Sequence, residues 1–198
     1  VTSDVLIPRP ETETLVMEAL GVVKPLPESN VLDLCTGSGC VAIAIAKNAP
    51  TARLTATDIS PGAIAIATEN ATRHQVSQRV AFFTGDLFAA LPEDSVFDVI
   101  VSNPPYIPSA EIATLDADVQ QYEPRLALDG GNDGLDVIRR IFTDAKSRLK
   151  PGGWLMFEFT PEQAAAVLAL AQSSGYSDAT IVKDTAQQPR FLRARRSL

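Results

Sequence analysis

Asn103-Pro104-Pro105-Tyr106 follows the apolar run VFDVIV and Ser102. Prolines cannot donate to a sheet ladder, so a strand reaching Ser102 must stop there. The quartet is stiff and carries groups that can position a planar amine or amide nitrogen. Such a nitrogen is a poor nucleophile, because its lone pair is delocalised. Two fixed acceptors, the Asn103 side-chain oxygen and the Pro104 carbonyl, can take its hydrogens and favour pyramidal geometry. Pro104 and Pro105 hold those acceptors still, and Tyr106 can wall or stack on the planar group. Read alone, the stretch is also compatible with a rigid turn.

Three further stretches could hold a partner for that nitrogen. The run NVLDLC leads into Thr36-Gly37-Ser38-Gly39-Cys40, where two glycines permit a tight turn and close approach of a ligand to backbone. The helix that opens there presents free N–H groups. Ala42 stands where a dinucleotide fingerprint has its third glycine, so the turn alone is a weak signal. Asp58 ends the next apolar run, ARLTATD, where an acid can take both hydroxyls of a ribose. It is equally well placed as a favourable charge before the helix opening at Pro61. Gly85-Asp86-Leu87-Phe88 ends the third run, with a carboxylate suited to an adenine amino group or to a turn cap. Together these ends describe an adenosine-containing cofactor, either a nicotinamide dinucleotide or S-adenosylmethionine. The fourth end, Asn103-Pro104-Pro105-Tyr106, decides for a methyl sulfonium, since hydride transfer has no use for it.

The elements that must position these residues alternate. Strand-like runs NVLDLC, ARLTATD, RVAFFTGD, FDVIVSN and WLMFEF are separated by helical stretches. In GLDVIRRIFTDAKSRLK, Leu135, Ile138, Ile141, Phe142, Ala145 and Leu149 fall on one helical face, and Pro151-Gly152-Gly153 is expected to stop that helix. SDATIVKD and PRFLRARR would be a final strand pair. Strands alternating with helices predict an α/β fold with a mostly parallel sheet covered on both faces and a C-terminal antiparallel hairpin. The longest stretch without regular structure is expected from Asn103 to about Asn132, a length that points to function.

Composition narrows the classes. The chain has 198 residues, 45% hydrophobic and 21% charged, as in one ordinary globular domain. A net charge of -7 argues against broad nucleic-acid binding. No apolar run approaches the roughly 20 residues of a membrane span, and the N-terminus has no signal-peptide pattern. Cys35, Cys40 and His74 have no metal-site spacing, so no metal is expected; the cysteines read as small buried fillers and His74 as a surface residue. The chain opens on Val rather than Met, so a processed form or a fragment is expected.

The Asn-Pro-Pro-Tyr quartet behind DLCTGSG and TATDIS resembles the amino-methyltransferases that use S-adenosylmethionine. VLIPRPETETLV, YEPRLALDGGNDGLDVIRRI and LKPGGWLMFEF extend the likeness over essentially the whole chain. In these stretches the sequence resembles the HemK-type peptide chain release factor glutamine methyltransferases. The resemblance implies a Rossmann-like class I methyltransferase fold with seven strands. It implies methylation of the side-chain amide of the glutamine in the GGQ loop of class I release factors, leaving S-adenosylhomocysteine. Asn103, Pro104, Pro105 and Tyr106 would be catalytic and, with Arg9, bind the substrate. Glu11, Thr12, Thr36, Gly37, Ser38, Gly39, Asp58, Ile59, Asp86, Leu87 and Asn103 would line the cofactor. Arg9 to Thr12 also read plainly as a helix start, with Pro10 in its first turn. Residues 1–25 would be a hinge segment with a short helix and 26–198 the methyltransferase domain, the family's small N-terminal helical domain being absent. A cytoplasmic monomer without stable nucleic-acid or membrane partners is expected.

Two positions depart from the family pattern: Thr160 stands where Gly follows the fifth strand, and Gln187 replaces a Gly before the last strand. Three other readings compete: methylation of a ribosomal-protein glutamine, methylation of adenine in nucleic acid, and a cofactor-binding scaffold. An adenine enzyme must flip its base and hold phosphates, which the acidic charge disfavours, and the DGGNDGLD stretch favours the release factor.

Overall fold

The computed structural model describes residues 1–198. Helix α1 (Thr12–Val23) precedes strand β1 (Ser29–Leu34), α2 (Cys40–Asn48), β2 (Ala52–Asp58), α3 (Pro61–Arg73), β3 (Val80–Thr84) and β4 (Phe97–Ser102). A short α4 (Ala117–Tyr122) follows, then α5 (Asp136–Arg148), β5 (Leu149–Glu158), α6 (Ala164–Ser173), β6 (Tyr176–Lys183) and β7 (Pro189–Arg196). Local chemistry accounts for several boundaries. The Ser60 hydroxyl accepts from the Ala63 N–H at 3.2 Å and Pro61 opens α3, a cap contributing about 1 kcal/mol. Gly175, at φ 72°, ends α6 in the left-handed conformation that glycine adopts without penalty.

The seven strands form one sheet in the order β3-β2-β1-β4-β5-β7-β6. β1 pairs in parallel with both β2 and β4, and β5 continues in parallel beside β4. β7 runs antiparallel between β5 and β6. The order reverses between β1 and β4, so their carboxyl ends flank the crevice where open α/β sheets bind ligands. Alternate side chains face two separate cores. Leu32, Leu34, Ile100, Leu155 and Phe157 pack on one face with Ile138, Ile141 and Phe142 of α5 and Val167 of α6. Val31, Val99, Val101 and Met156 pack on the other with Leu15 and Ala19 of α1 and Val41, Ile45 and Ala46 of α2. All six residues of the expected α5 stripe, Leu135 to Leu149, are buried.

Two details differ from the expectations above. α5 ends at Arg148, before Pro151-Gly152-Gly153. Leu149 already pairs with Phe97, and the three residues absorb a register shift before Trp154 pairs with Val99. The residue before a proline is biased away from helix, so the break falls upstream of Pro151. The stretch from Asn103 to Asn132 is not irregular throughout. It holds α4, two single turns at Ile112–Thr114 and Arg125–Ala127, and a β-bridge between Ile107 and Asp129.

Candidate active site

A cavity of about 210 Å³ opens at the carboxyl ends of β1, β2 and β4. Its floor is the turn after β1. Asp33 is buried inside that strand (1% exposed); its Oδ2 accepts from the Thr36 hydroxyl at 2.6 Å and from the Ala42 N–H at 3.2 Å. Burial pushes the Asp33 carboxyl up to about 7, against the pull of those donors. One buried carboxylate thus clamps both sides of the glycine turn to its strand. The two glycines have different reasons. Gly37 sits at φ 53°, and a Cβ there would meet nothing within 4 Å, so its side of the turn is open. At Gly39, φ 80°, a Cβ would lie 3.0 Å from the Ala67 Cβ; that glycine lets α2 approach α3.

Asp58 ties the turn to β2. Its Oδ2 accepts from the Gly37 N–H at 2.8 Å and its Oδ1 from the Ser60 N–H at 2.9 Å. Each oxygen keeps a second acceptor direction. Ile59 is 49% exposed beside it. Asp86 pairs with Arg140 of α5 at 2.7 Å, so that carboxylate enters the cavity already holding a cation. Cys35 (φ 55°) and Leu87 (φ 51°) both line the cavity in the left-handed region, each at a cost of about 1–3 kcal/mol. Such strain collects where the surrounding structure holds a functional shape.

The cysteines pack against the two cores and also face the cavity. Cys35 and Cys40 are half-buried in the cavity wall. Desolvation raises both thiols, Cys40 to about 11, so neither is a thiolate near neutral pH.

The fourth edge of the cavity is Asn103-Pro104-Pro105-Tyr106. Asn103 and Pro105 line it, and Pro104 is buried beneath. No backbone N–H donates to the Pro104 carbonyl. The Asn103 Nδ2 donates to the Thr12 hydroxyl at 3.2 Å, and no protein donor reaches its Oδ1. The Thr12 hydroxyl donates to the Glu158 Oε2 at 2.8 Å, and the Tyr106 hydroxyl donates to the Glu158 Oε1 at 2.8 Å. Glu158 is 2% exposed. Burial raises the Glu158 carboxyl, and burial beside it raises the Tyr106 phenol, which is neutral at any working pH.

The loop DGGNDGLD supports this edge from below. A Cβ on Gly130 would come within 2.8 Å of the Pro105 carbonyl, and one on Gly134 (φ 74°) would collide with the Tyr106 carbonyl. The Gln163 Nε2 donates to that Tyr106 carbonyl at 2.8 Å, while its Oε1 accepts from the Thr160 N–H at 3.0 Å. Thr160 therefore starts a working turn where the family pattern has glycine. Gln187 keeps the glycine-type backbone, at φ 62°, in the β6–β7 connection.

Of the residues singled out in the sequence, Thr12, Thr36, Gly37, Ser38, Asp58, Ile59, Asp86, Leu87, Asn103 and Pro105 meet at one cavity. Arg9, Glu11, Gly39, Pro104 and Tyr106 lie outside its lining. Arg9 instead forms an ion pair with Glu123 at 2.7 Å, tying the N-terminal segment to the loop after α4; the Glu123 side chain is almost fully enclosed. Asp33, Glu158 and Gln163 were not singled out. The first two had a signal, a lone acid inside an apolar strand run; Gln163 had none.

Residues 12–121 match the family model described as methyltransferase small domain. A protein of Geobacter sulfurreducens named release factor glutamine methyltransferase is 49% identical over 93% of this chain. One of the same name from Rhodopirellula baltica is 44% identical over 97%. The chain belongs to the release factor glutamine methyltransferase family. It spans 63% and 67% of the length of those two relatives. Among solved structures, a ribosomal protein L11 methylase from Lactobacillus delbrueckii subsp. bulgaricus superposes with a TM-score of 0.68 at 20% identity, over 96% of this chain and 81% of that one. That likeness concerns the class I methyltransferase fold. No helix is long and apolar enough to cross a membrane.

Proposed function

We propose that this domain methylates the side-chain amide nitrogen of the glutamine in the GGQ loop of class I peptide chain release factors. S-adenosylmethionine supplies the electrophilic methyl group when bound. The observation that carries the reading is the pair of free acceptors at the end of β4. The Asn103 Oδ1 and the Pro104 carbonyl have no protein donor; Asn103 lines the cavity bounded by the glycine turn and Asp58, and Pro104 follows it directly at the end of β4. The relatives' names, release factor glutamine methyltransferase, support a release factor glutamine as the acceptor, and the GGQ loop is what the sequence resemblance implies.

The cavity fits an adenosine cofactor in its own chemistry. Gly37 leaves open space, Cys40 and Val41 at the start of α2 line it, and Asp58 retains acceptor directions for ribose hydroxyls. Thr36, Ser38, Ile59, Asp86 and Leu87 would complete the cofactor's surroundings, with Thr12 and Glu11 on the side of α1 and Gly39 behind the turn. The two acceptors take the glutamine amide hydrogens, orient the nitrogen and draw electron density onto it. Bound S-adenosylmethionine would supply the methyl group to that nitrogen, its leaving group a neutral thioether. The amide proton becomes acidic and passes to water, so no strong side-chain base is needed. Pro105 and Tyr106 keep the strand end rigid, and Arg9 holds the segment at the rim through Glu123. The product is S-adenosylhomocysteine. Residues 1–25 would supply a hinge segment and the short helix α1, whose Leu15, Ala19 and Val23 pack into the 26–198 unit, and the protein would work as a cytoplasmic monomer.

Purified protein with labelled S-adenosylmethionine and a release factor, its GGQ-to-GGA variant, ribosomal protein or DNA tests this. Label is expected on the release factor and lost in the variant. Label on ribosomal protein or DNA alone sinks the proposal.

A further inference from the structure

We infer that Glu158, remote from the reacting nitrogen, sets which way the Asn103 amide faces, acting through the Thr12 hydroxyl as a positioning residue. The inference rests on the proposed role of Asn103 as an acceptor of the glutamine amide. Three elements far apart in sequence meet here: α1, the end of β4 and the end of β5.

The direction of each bond follows from counting hydrogens. An ionised carboxylate has none to give. Glu158 is enclosed, and both its oxygens accept, one from Thr12 and one from Tyr106. Thr12 owns one hydroxyl hydrogen, and Glu158 takes it. Toward Asn103 the Thr12 oxygen can then only accept, at 3.2 Å from Nδ2. An amide with its NH2 turned to Thr12 has its oxygen turned the other way. Without such a relay the amide has two orientations of nearly equal shape, one of which aims donors at a donor nitrogen. Thr12 lines the cavity, but its hydroxyl is committed inward.

Glu158→Gln reverses the relay at almost constant volume. The Tyr106 hydroxyl needs an acceptor, so the substituted side chain must turn its oxygen to Tyr106 and its NH2 to Thr12. The opposite placement strands a part-buried hydroxyl donor. The Thr12 oxygen then accepts from the new amide, its hydrogen points to Asn103, and the Asn103 amide turns its NH2 to the cavity.

The test measures methyl transfer to a release factor, cofactor affinity by calorimetry and melting temperature for Glu158→Gln, Thr12→Val, Thr12→Ser and Asn103→Ala. At saturating cofactor, Glu158→Gln and Thr12→Val are expected to lose about 10²-fold in kcat, as for a lost transition-state hydrogen-bonding group, and cofactor affinity holds in Glu158→Gln, which leaves the cavity lining untouched. Thr12→Ser, which restores the hydroxyl, is expected to turn over within about threefold of the parent. Parent-like turnover in Glu158→Gln or Thr12→Val overturns the relay, and so does a Thr12→Ser as defective as Thr12→Val. If Glu158→Gln does not fold, the Thr12 pair decides. Asn103→Ala separates the two levels: if it stays active, the acceptor role of Asn103 itself fails. If it is inactive while Glu158→Gln is active, only the relay fails.

Discussion

The two halves of the cavity are built by different means. On the β1–β2 side, the clamp is local: Asp33 to Thr36 and Ala42, and Asp58 to Gly37 and Ser60, all within about one βα unit. Backbone N–H groups do most of the holding, and the shape survives as long as a turn and a helix start do. On the β4 side, the stiff quartet is local but its orientation is not. Asn103 is held through Thr12, 91 residues away, and Thr12 through Glu158, 146 residues away. Gly130, Gly134 and Gln163 underpin the same strand end. A half built from one unit tolerates change elsewhere in the chain, whereas a half built from five pieces of the chain registers every shift among them. The proposed division of labour matches: the local half would bind the cofactor, and the networked half would orient the acceptor, where small misplacements cost most.

That contrast can be broken in four ways. Asn103→Ala is expected to have the largest effect. Turnover on the release factor should fall by about 10²–10³-fold while calorimetric cofactor affinity holds, because only the acceptor half is touched. A parallel loss of cofactor affinity would show that the halves are not separable. Gly134→Ala comes next. Its Cβ would collide with the Tyr106 carbonyl and its φ is 74°, so a loss of about 2–3 kcal/mol in denaturant unfolding is expected, with turnover falling before cofactor affinity. Asp58→Ala should do the reverse of Asn103→Ala, weakening cofactor affinity by about 10-fold with kcat at saturation little changed. Unaltered affinity would remove Asp58 from the cofactor.

The smallest effect is a slope. The Asp33 carboxyl is raised by burial from 3.8 to about 7 in the folded chain, so the folded state holds a proton that the unfolded state has lost across that window. Its contribution is fully present below about pH 4 and declines as pH rises toward 7, by at most about 1.4 kcal/mol per pH unit for one proton. Glu158, also raised, acts in the same sense. Asp33→Asn should flatten the stability profile by its own share, read from melting temperature against pH. An unchanged slope would show that Asp33 is ionised throughout.

Much of the fold could be read from the residues because its signals are local. The apolar stripe of α5, the Ser60-Pro61 start of α3 and the alternation of strand and helix each depend on neighbours within a turn or two. The end of α5 is not legible in the residues, because the pairing of Leu149 with Phe97 that ends it is a contact between elements. The 103–132 segment looked irregular, because what orders it is its attachment: Ile107 to Asp129, and Arg9 to Glu123. That Cys35 and Cys40 pack on the cores is legible from their small apolar side chains, but that they also line the cavity is not, because it depends on what the turn after β1 faces.

By itself, the sequence determined the strand ends and the chemistry placed on them: a glycine turn, two acids and a rigid amide-bearing quartet. Strand periodicity and proline stiffness are short-range properties, and they survive being read one residue at a time. Only the tertiary structure decided how those ends work together. It committed the Asn103 NH2 to Thr12 and the Thr12 hydrogen to Glu158, and it left the amide oxygen of Asn103 and the carbonyl of Pro104 without a protein donor. A hydrogen bond's direction depends on what the partner can give, and these partners lie up to 146 residues apart.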